Sequence, residues 1–274
     1  MNRQLPSGDK IFVIQQKVHR KSQQELKWLQ LMLCANEIGL EGLRRLTEVY
    51  GSLDDIVRAG RRKVGEIVGK EASQRLFSQD KYKEFDEVCR WLAAVEGSDV
   101  VTWSDPDYPR ELLVSDDSPA VLYLRGRREL LARRRFYLIG TQHPDAEGKL
   151  NAAAFGEAIA RREVLVTGLE AGIDREAAAA AAASGGSVIA VQSTGPDRLY
   201  PRECRDLFHQ IADIGLVVSP FAPGTSFTPE NAALKRSVCM LMSSALVVVQ
   251  AEIRSEALKM AQAAAESAKD VYTI

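Results

Sequence analysis

Three glycine-bearing loops in this 274-residue chain hold residues whose types and spacing suit one chemistry, the grip of an anionic group. The first is Gly140-Thr141-Gln142-His143-Pro144-Asp145-Ala146-Glu147-Gly148, directly after a short apolar run. A glycine there lets the backbone approach a ligand, and a helix starting near Gly148 turns its positive dipole end to the same place. The second loop, Thr167-Gly168-Leu169-Glu170-Ala171-Gly172-Ile173-Asp174, repeats the arrangement, although tight strand-to-helix packing would explain its glycines equally well. The third, Ser193 to Glu203, brings Arg198 and Arg202, and Lys235 and Arg236 stand further on. Each of these four cations reads either as a phosphate contact or as ordinary surface charge.

A second basic feature is the run Arg125 to Arg135 (RGRRELLARRR), with six arginines against one glutamate. It suits either a solvated face or a phosphate-binding patch built on Arg133, Arg134 and Arg135, because each phosphate neutralised releases counterions. The net charge is −1, so the whole molecule is no general attractor of nucleic acid. The charge is uneven all the same: residues 1–139 carry 24 Lys+Arg against 21 Asp+Glu, and residues 140–274 carry 12 against 16.

Other chemistries find no support. The cysteines Cys34, Cys89, Cys204 and Cys239 are far apart, and with His19, His143 and His209 they offer no metal-ligand spacing and no nucleophile with a partner. Gly140 stands alone where dinucleotide binding wants GxGxxG, so no dehydrogenase is expected. The sequence therefore predicts a protein that is not an enzyme and carries no cofactor or metal. Residues 1–20 lack the apolar core of a secretory signal, and no run reaches the ~18 to 20 apolar residues of a membrane span, so the cytoplasm is the expected compartment.

The elements that position these loops follow from periodicity. Residues 1–22 are polar and basic and read as a loose arm. From 23 to 97 the pattern is helical, with Leu26, Leu29, Leu33 and Leu43, Leu46, Val49 at three- and four-residue spacing and turns at Gly39, Gly51 and Gly60. Residues 23–97 are thus expected to form a small helical domain of helix-hairpin-helix or SAM-like type, in which Ala35 to Leu43 suits either a hairpin turn that holds a DNA phosphate or a purely structural hairpin flanked by Glu37 and Glu41. Short strands are predicted at Val100–Trp103 and Val121–Leu124. From there the apolar runs Phe136–Gly140, Val164–Thr167, Val188–Val191, Leu216–Val218, Leu246–Val249 and Val271–Ile274 alternate with helices. That alternation predicts an α/β fold over 98–274, a doubly wound, mostly parallel sheet covered on both faces. Ligands then belong at the carboxyl ends of the strands, in loops 140–148, 167–175, 192–203 and 219–236.

Taken in order, Gly140-Thr141, Thr167 to Asp174 and Gly195-x-Asp197-x-x-Tyr200-Pro201 resemble the motifs of the DprA/Smf family of bacterial DNA-processing proteins. Asp105-Pro106-Asp107-Tyr108-Pro109 and Pro119 to Gly126 are similar to that family's lead-in to its Rossmann-like domain. The resemblance covers about residues 28 to 274. It implies a Rossmann-like domain that binds single-stranded DNA without catalysing a reaction, assists RecA loading in DNA uptake or recombination, and acts as a homodimer. The phosphate-binding positions it points to are Gly140, Thr141, Gly168, Gly172, Arg198, Arg202, Lys235 and Arg236. No winged-helix tail is expected.

The departures from the family pattern fall on those same loops. Gln142 replaces an arginine, Asp145 and Glu147 add negative charge, Glu170 replaces an alanine, and Ala178 in a run of seven alanines replaces a histidine. Lys235-Arg236-Ser237 stands where the family has Arg-Asn-Arg. The sequence thus leaves a second reading open: a nucleotide-sensing or scaffold protein of the same superfamily that has lost DNA binding.

Overall fold

The computed structural model of the chain describes residues 39–78, 80–115 and 118–274. The expected arm at 1–22, the Leu26–Leu33 helix, Cys34, His19 and the Ala35–Ile38 part of the hairpin lie outside them.

Among the described residues four helices come first: α1 (Gly39–Tyr50), α2 (Leu53–Val68), α3 (Lys70–Leu76) and α4 (Asp80–Ala94). Ser52 starts α2 as an N-cap, its hydroxyl accepting from the backbone N–H of Asp55. Of the apolar positions predicted to recur, Leu43 and Leu46 face inward whereas Val49 is 62% exposed; Ile56, Val64 and Leu76 are buried beside the first two. They close over Trp91 and Leu92 of α4 and over Val100, Val121 and Tyr123 of the first two strands. The helical segment therefore shares a core with the sheet.

The strands are β1 (Ser98–Thr102), β2 (Val121–Gly126), β3 (Arg135–Ile139), β4 (Val164–Thr167), β5 (Val188–Val191), β6 (Leu216–Ser219), β7 (Ala245–Val248) and β8 (Asp270–Thr273). They form one sheet in the order β1-β2-β6-β5-β4-β3-β7-β8. The pairings β1–β2 and β2–β6 are antiparallel, and all the others are parallel. The predicted mostly parallel α/β sheet is the one observed.

Alternation along each strand feeds two buried faces. Tyr137 and Ile139 of β3, with Ile189 and Val191 of β5, enter one core beneath α8 (Pro229–Met242) and α9 (Glu256–Glu266). Leu138, Val188 and Ala190 enter the opposite core beneath α5 (Ala146–Arg162), α6 (Ile173–Ala183) and α7 (Arg205–Ile214). A strand buried on both sides has to be apolar throughout, which is why these runs show no polar alternation. The alanine run has the same kind of cause. Ala177, Ala178, Ala181 and Ala182 are buried on α6, and α5 buries its own small residues Gly148, Ala152, Gly156 and Ala160. Ala178 thus fills a close-packed helix interface, with no polar partner to serve.

The chain steps outward from β3 through β4 and β5 to β6, then returns to the other side of β3 for β7 and β8. The direction of winding changes between β3 and β7, and that crevice at the carboxyl edge is where such sheets hold ligands. No helix among the described residues is long and apolar enough to cross a membrane.

Candidate functional site at the carboxyl edge

Gly140 and Thr141 leave β3 at this crevice and are locked there by the backbone. Thr141 N donates to Gln250 O at 2.6 Å, and Thr141 O accepts from Ile173 N at 3.1 Å. The loops after β3, β4 and β7 therefore meet at one residue. The glycines permit it: a Cβ on Gly140 would come 2.6 Å from Gln250 O, and Gly172, at φ +82°, would set one against the carbonyl of Thr141. The tight packing expected of the second loop's glycines is observed, and Gly140 serves loop-to-loop contact as well.

A pocket of about 340 Å³ opens here. Tyr137, Ile139, Ala257 and Met260 make its apolar wall, and Thr141, Gln142, Glu170, Asp174, Arg236, Glu252 and Glu256 its polar parts. Four carboxylates thus face one arginine. Lys235, expected as a phosphate ligand, is only 5% exposed. Its Nζ donates to Gly168 O at 2.8 Å and to Glu170 Oε1 at 2.7 Å. Arg236 Nη1 lies 3.5 Å from the same carboxylate oxygen. Glu170 therefore occupies the position where an anionic ligand would meet these two cations.

Asp174 finishes the second loop from within. Its carboxylate accepts from Thr167 Oγ1 at 2.6 Å, Gly168 N at 3.0 Å and Glu170 N at 3.0 Å. Burial pushes its pKa up to about 6, against the pull of those hydrogen bonds and of Lys235. Asp145 similarly holds the amino end of α5, which the sequence offered as an anion site. Its Oδ1 accepts from Gly148 N at 2.7 Å, and its Oδ2 accepts from Gln250 Nε2 at 2.9 Å. The Gly148 bond, then that of Gln250, holds this carboxyl below its usual range. The helix end is already capped by a negative charge.

Gln250 and Glu252 were not legible as site residues. Both lie just past β7, beside β3, and Glu252 Oε1 accepts from Thr141 Oγ1 at 3.3 Å. Their position after a strand is the one signal that would have marked them.

Arg198 and Arg202 lie elsewhere on the same edge. They line a larger cleft of about 1100 Å³, together with Arg125, Arg205, His209, Tyr200 and Phe227. This cleft runs from the carboxyl end of β5 along α7 toward Val95 and Arg125.

The arginine patch is corrected by the structure. Arg133, Arg134 and Arg135 sit at the amino end of β3, the opposite edge from the motif loops. Arg135 is 4% exposed, and its guanidinium donates to the carbonyls of Met242, Leu131 and Arg133 and to Glu111. Arg133 donates to Ser187 Oγ and to the carbonyls of Arg162 and Glu163. Arg134 lies over the ring of Phe136. Earlier in the run, Arg128 is paired with Asp99 and Asp107. Arg127, Arg128, Arg133 and Arg135 are thus engaged by protein carboxylates, carbonyls and a hydroxyl, so the run does not present six free cations. The described cysteines Cys89, Cys204 and Cys239 are buried, and burial raises all three thiols.

An open α/β sheet, mostly parallel and with its loops gathered at a switch-point crevice, defines a Rossmann-like protein. Comparison with known proteins specifies it further. The family described as DNA recombination-mediator protein A matches residues 99–274, and the chain belongs to that family. It is 33% identical over 179 residues to protein Smf of Synechocystis, covering 64% of this chain and 45% of the relative. It is 30% identical over 194 residues to the DNA processing protein DprA of Bacillus subtilis, covering 69% and 65%. The chain thus spans between about half and two thirds of the length of these relatives. The crystal structure of DprA from Streptococcus pneumoniae shares the fold, with a TM-score of 0.75, 23% identity and coverage of 88% and 84%. So does DNA processing protein A of Helicobacter pylori, studied for its single-stranded DNA binding mode, at 0.58, 22%, 64% and 80%.

Proposed function

We propose that this chain binds single-stranded DNA at the carboxyl edge of its sheet and, as a cytoplasmic homodimer, assists RecA loading during DNA uptake or recombination. It does so without catalysing a reaction. One observation carries the reading: the ordered motif loops of a DNA-processing family converge on one solvent-facing edge, where Arg198, Arg202 and Arg236 line open cavities. The family's description as a recombination mediator supports the RecA step. The Helicobacter pylori relative supports the choice of single-stranded DNA.

The test is an electrophoretic shift with single- and double-stranded oligonucleotides over about 50 to 300 mM salt. Binding through several phosphates falls steeply with salt, whereas a flat response or no binding to oligo(dT) removes the reading. Addition of RecA to the bound strand then reports loading, and light scattering reports the dimer.

A second reading has an observation of its own. The switch-point pocket faces four carboxylates and one arginine, a lining that suits an uncharged or cationic small ligand better than a phosphate. Thermal shift against a panel of nucleosides and nucleotides checks it, because a ligand that binds only the folded state raises the melting temperature.

A further inference from the structure

We propose that the DNA strand lies in the cleft beside β5 and α7, outside the switch-point pocket, with bases stacked on the Tyr200–Phe227 pair and phosphates held by Arg198, Arg202 and Arg205. This rests on the reading of the chain as a single-strand-DNA binder and assigns that activity a place and a mode.

Charge separates the two cavities first. The cleft holds Arg125, Arg198, Arg202, Arg205 and His209 against Asp197 and Glu203. The carboxylate of Asp197 is already used, accepting from Gly224 N at 2.7 Å. Among the described residues none of these four arginines is ion-paired. In the switch-point pocket, by contrast, both Lys235 and Arg236 are already paired with the Glu170 carboxylate. A polyanion therefore meets free cations in the cleft and carboxylates in the pocket.

Size points the same way. The cleft, at about 1100 Å³, has about three times the volume of the switch-point pocket at about 340 Å³.

The aromatic pair supplies the preference for unpaired bases. The rings of Tyr200 and Phe227 stack with centroids 3.8 Å apart and planes 23° from parallel. They come from two different loops and remain 46% and 36% exposed. Exposed aromatic rings in a groove lined by arginines are the surfaces on which single-strand binders stack bases. Duplex DNA keeps its bases paired and presents no free base face to it. Arg198 is held in place beside the pair by a 2.9 Å bond from Nη1 to Ser226 Oγ, next to Phe227.

Anisotropy titrations of a labelled oligo(dT) against the full chain test this, with melting temperatures measured for every variant. Arg198→Glu/Arg202→Glu should weaken binding roughly tenfold or more and lower the salt slope by about one unit or more. Tyr200→Ala should weaken single-strand binding by roughly tenfold. Tyr200→Trp should keep the affinity and add an emission that oligo(dT) quenches beyond any change in the parent protein. If the wild-type chain binds no DNA, the functional reading fails and this inference with it. If the wild type binds but the arginine and tyrosine variants bind equally well, or Arg236→Ala alone abolishes binding, the inference fails while the functional reading stands. A purely structural Tyr200 would lower the melting temperature on replacement by alanine and leave affinity unchanged, and the indole introduced by Tyr200→Trp would emit without responding to DNA.

Discussion

Glu170 and Lys235, 65 positions apart in the chain, meet through a 2.7 Å bond from Nζ to Oε1. The lysine side chain is 7% exposed and the glutamate 25%. This contact ties the loop after β4 to α8 and neutralises the cation beneath the switch-point pocket. Glu170→Ala should therefore cost stability, because it removes the ion pair of a buried ammonium and leaves it hydrogen-bonded to the Gly168 carbonyl, with Asp174 nearby. We expect a loss of about 2 kcal/mol, smaller than for a fully buried pair because Glu170 reaches solvent. Urea denaturation measures it, and Glu170→Ala/Lys235→Met should recover most of the loss.

Asp174 makes stability depend on pH. Its carboxyl is raised in the folded chain to about 6, above its ordinary value near 4, so folding favours the protonated form. That contribution is complete below pH ~4 and is lost as the pH rises through about 6. Asp174→Asn cannot titrate, yet its amide oxygen can still accept from the Gly168 and Glu170 N–H groups. Subtracting its unfolding free energies from the wild type's between pH 4.5 and 7.5 should leave a relative decline of about 2 kcal/mol. A flat difference would refute the assignment.

Arg135 is a structural residue. Replacing it by alanine leaves buried carbonyls of Leu131 and Met242 without a donor, and the expected loss is about 3 kcal/mol. Arg134→Ala, which removes an exposed contact with the Phe136 ring, should change stability by no more than about 1 kcal/mol. Neither should alter the DNA affinity of the folded fraction. Denaturation curves paired with anisotropy at matched folded concentration separate the two effects.

Gly172→Ala should be among the most damaging single changes. It combines a positive φ of +82° with a Cβ driven into the Thr141 carbonyl. Together these should cost about 3 kcal/mol or more. Calorimetry detects the drop. An unchanged melting temperature would mean that the three loops are not pinned together as described.

Much of this was legible in the chain itself. Apolar runs between helical stretches specify a parallel sheet, because a strand covered on both faces must be apolar along its whole length. The glycines of the 140 and 167 loops, and the order of the motifs, mark the carboxyl edge as the place for function. The sequence also warns that Gln142, Asp145 and Glu170 depart from a phosphate-binding pattern.

What it could not contain is which groups spend their charge on one another. Whether Arg135 faces DNA or three carbonyls, and whether Glu170 repels a ligand or neutralises Lys235, depends on partners dozens of residues away, brought together only by packing. The same holds for Tyr200, marked in the sequence only as part of a motif, and Phe227, which no motif marks; they become a single stacked surface once the loops after β5 and β6 lie side by side. Composition and periodicity settle which elements form, since both act over a few neighbouring residues. Burial and pairing decide which cations remain free, and these are properties of the folded chain alone.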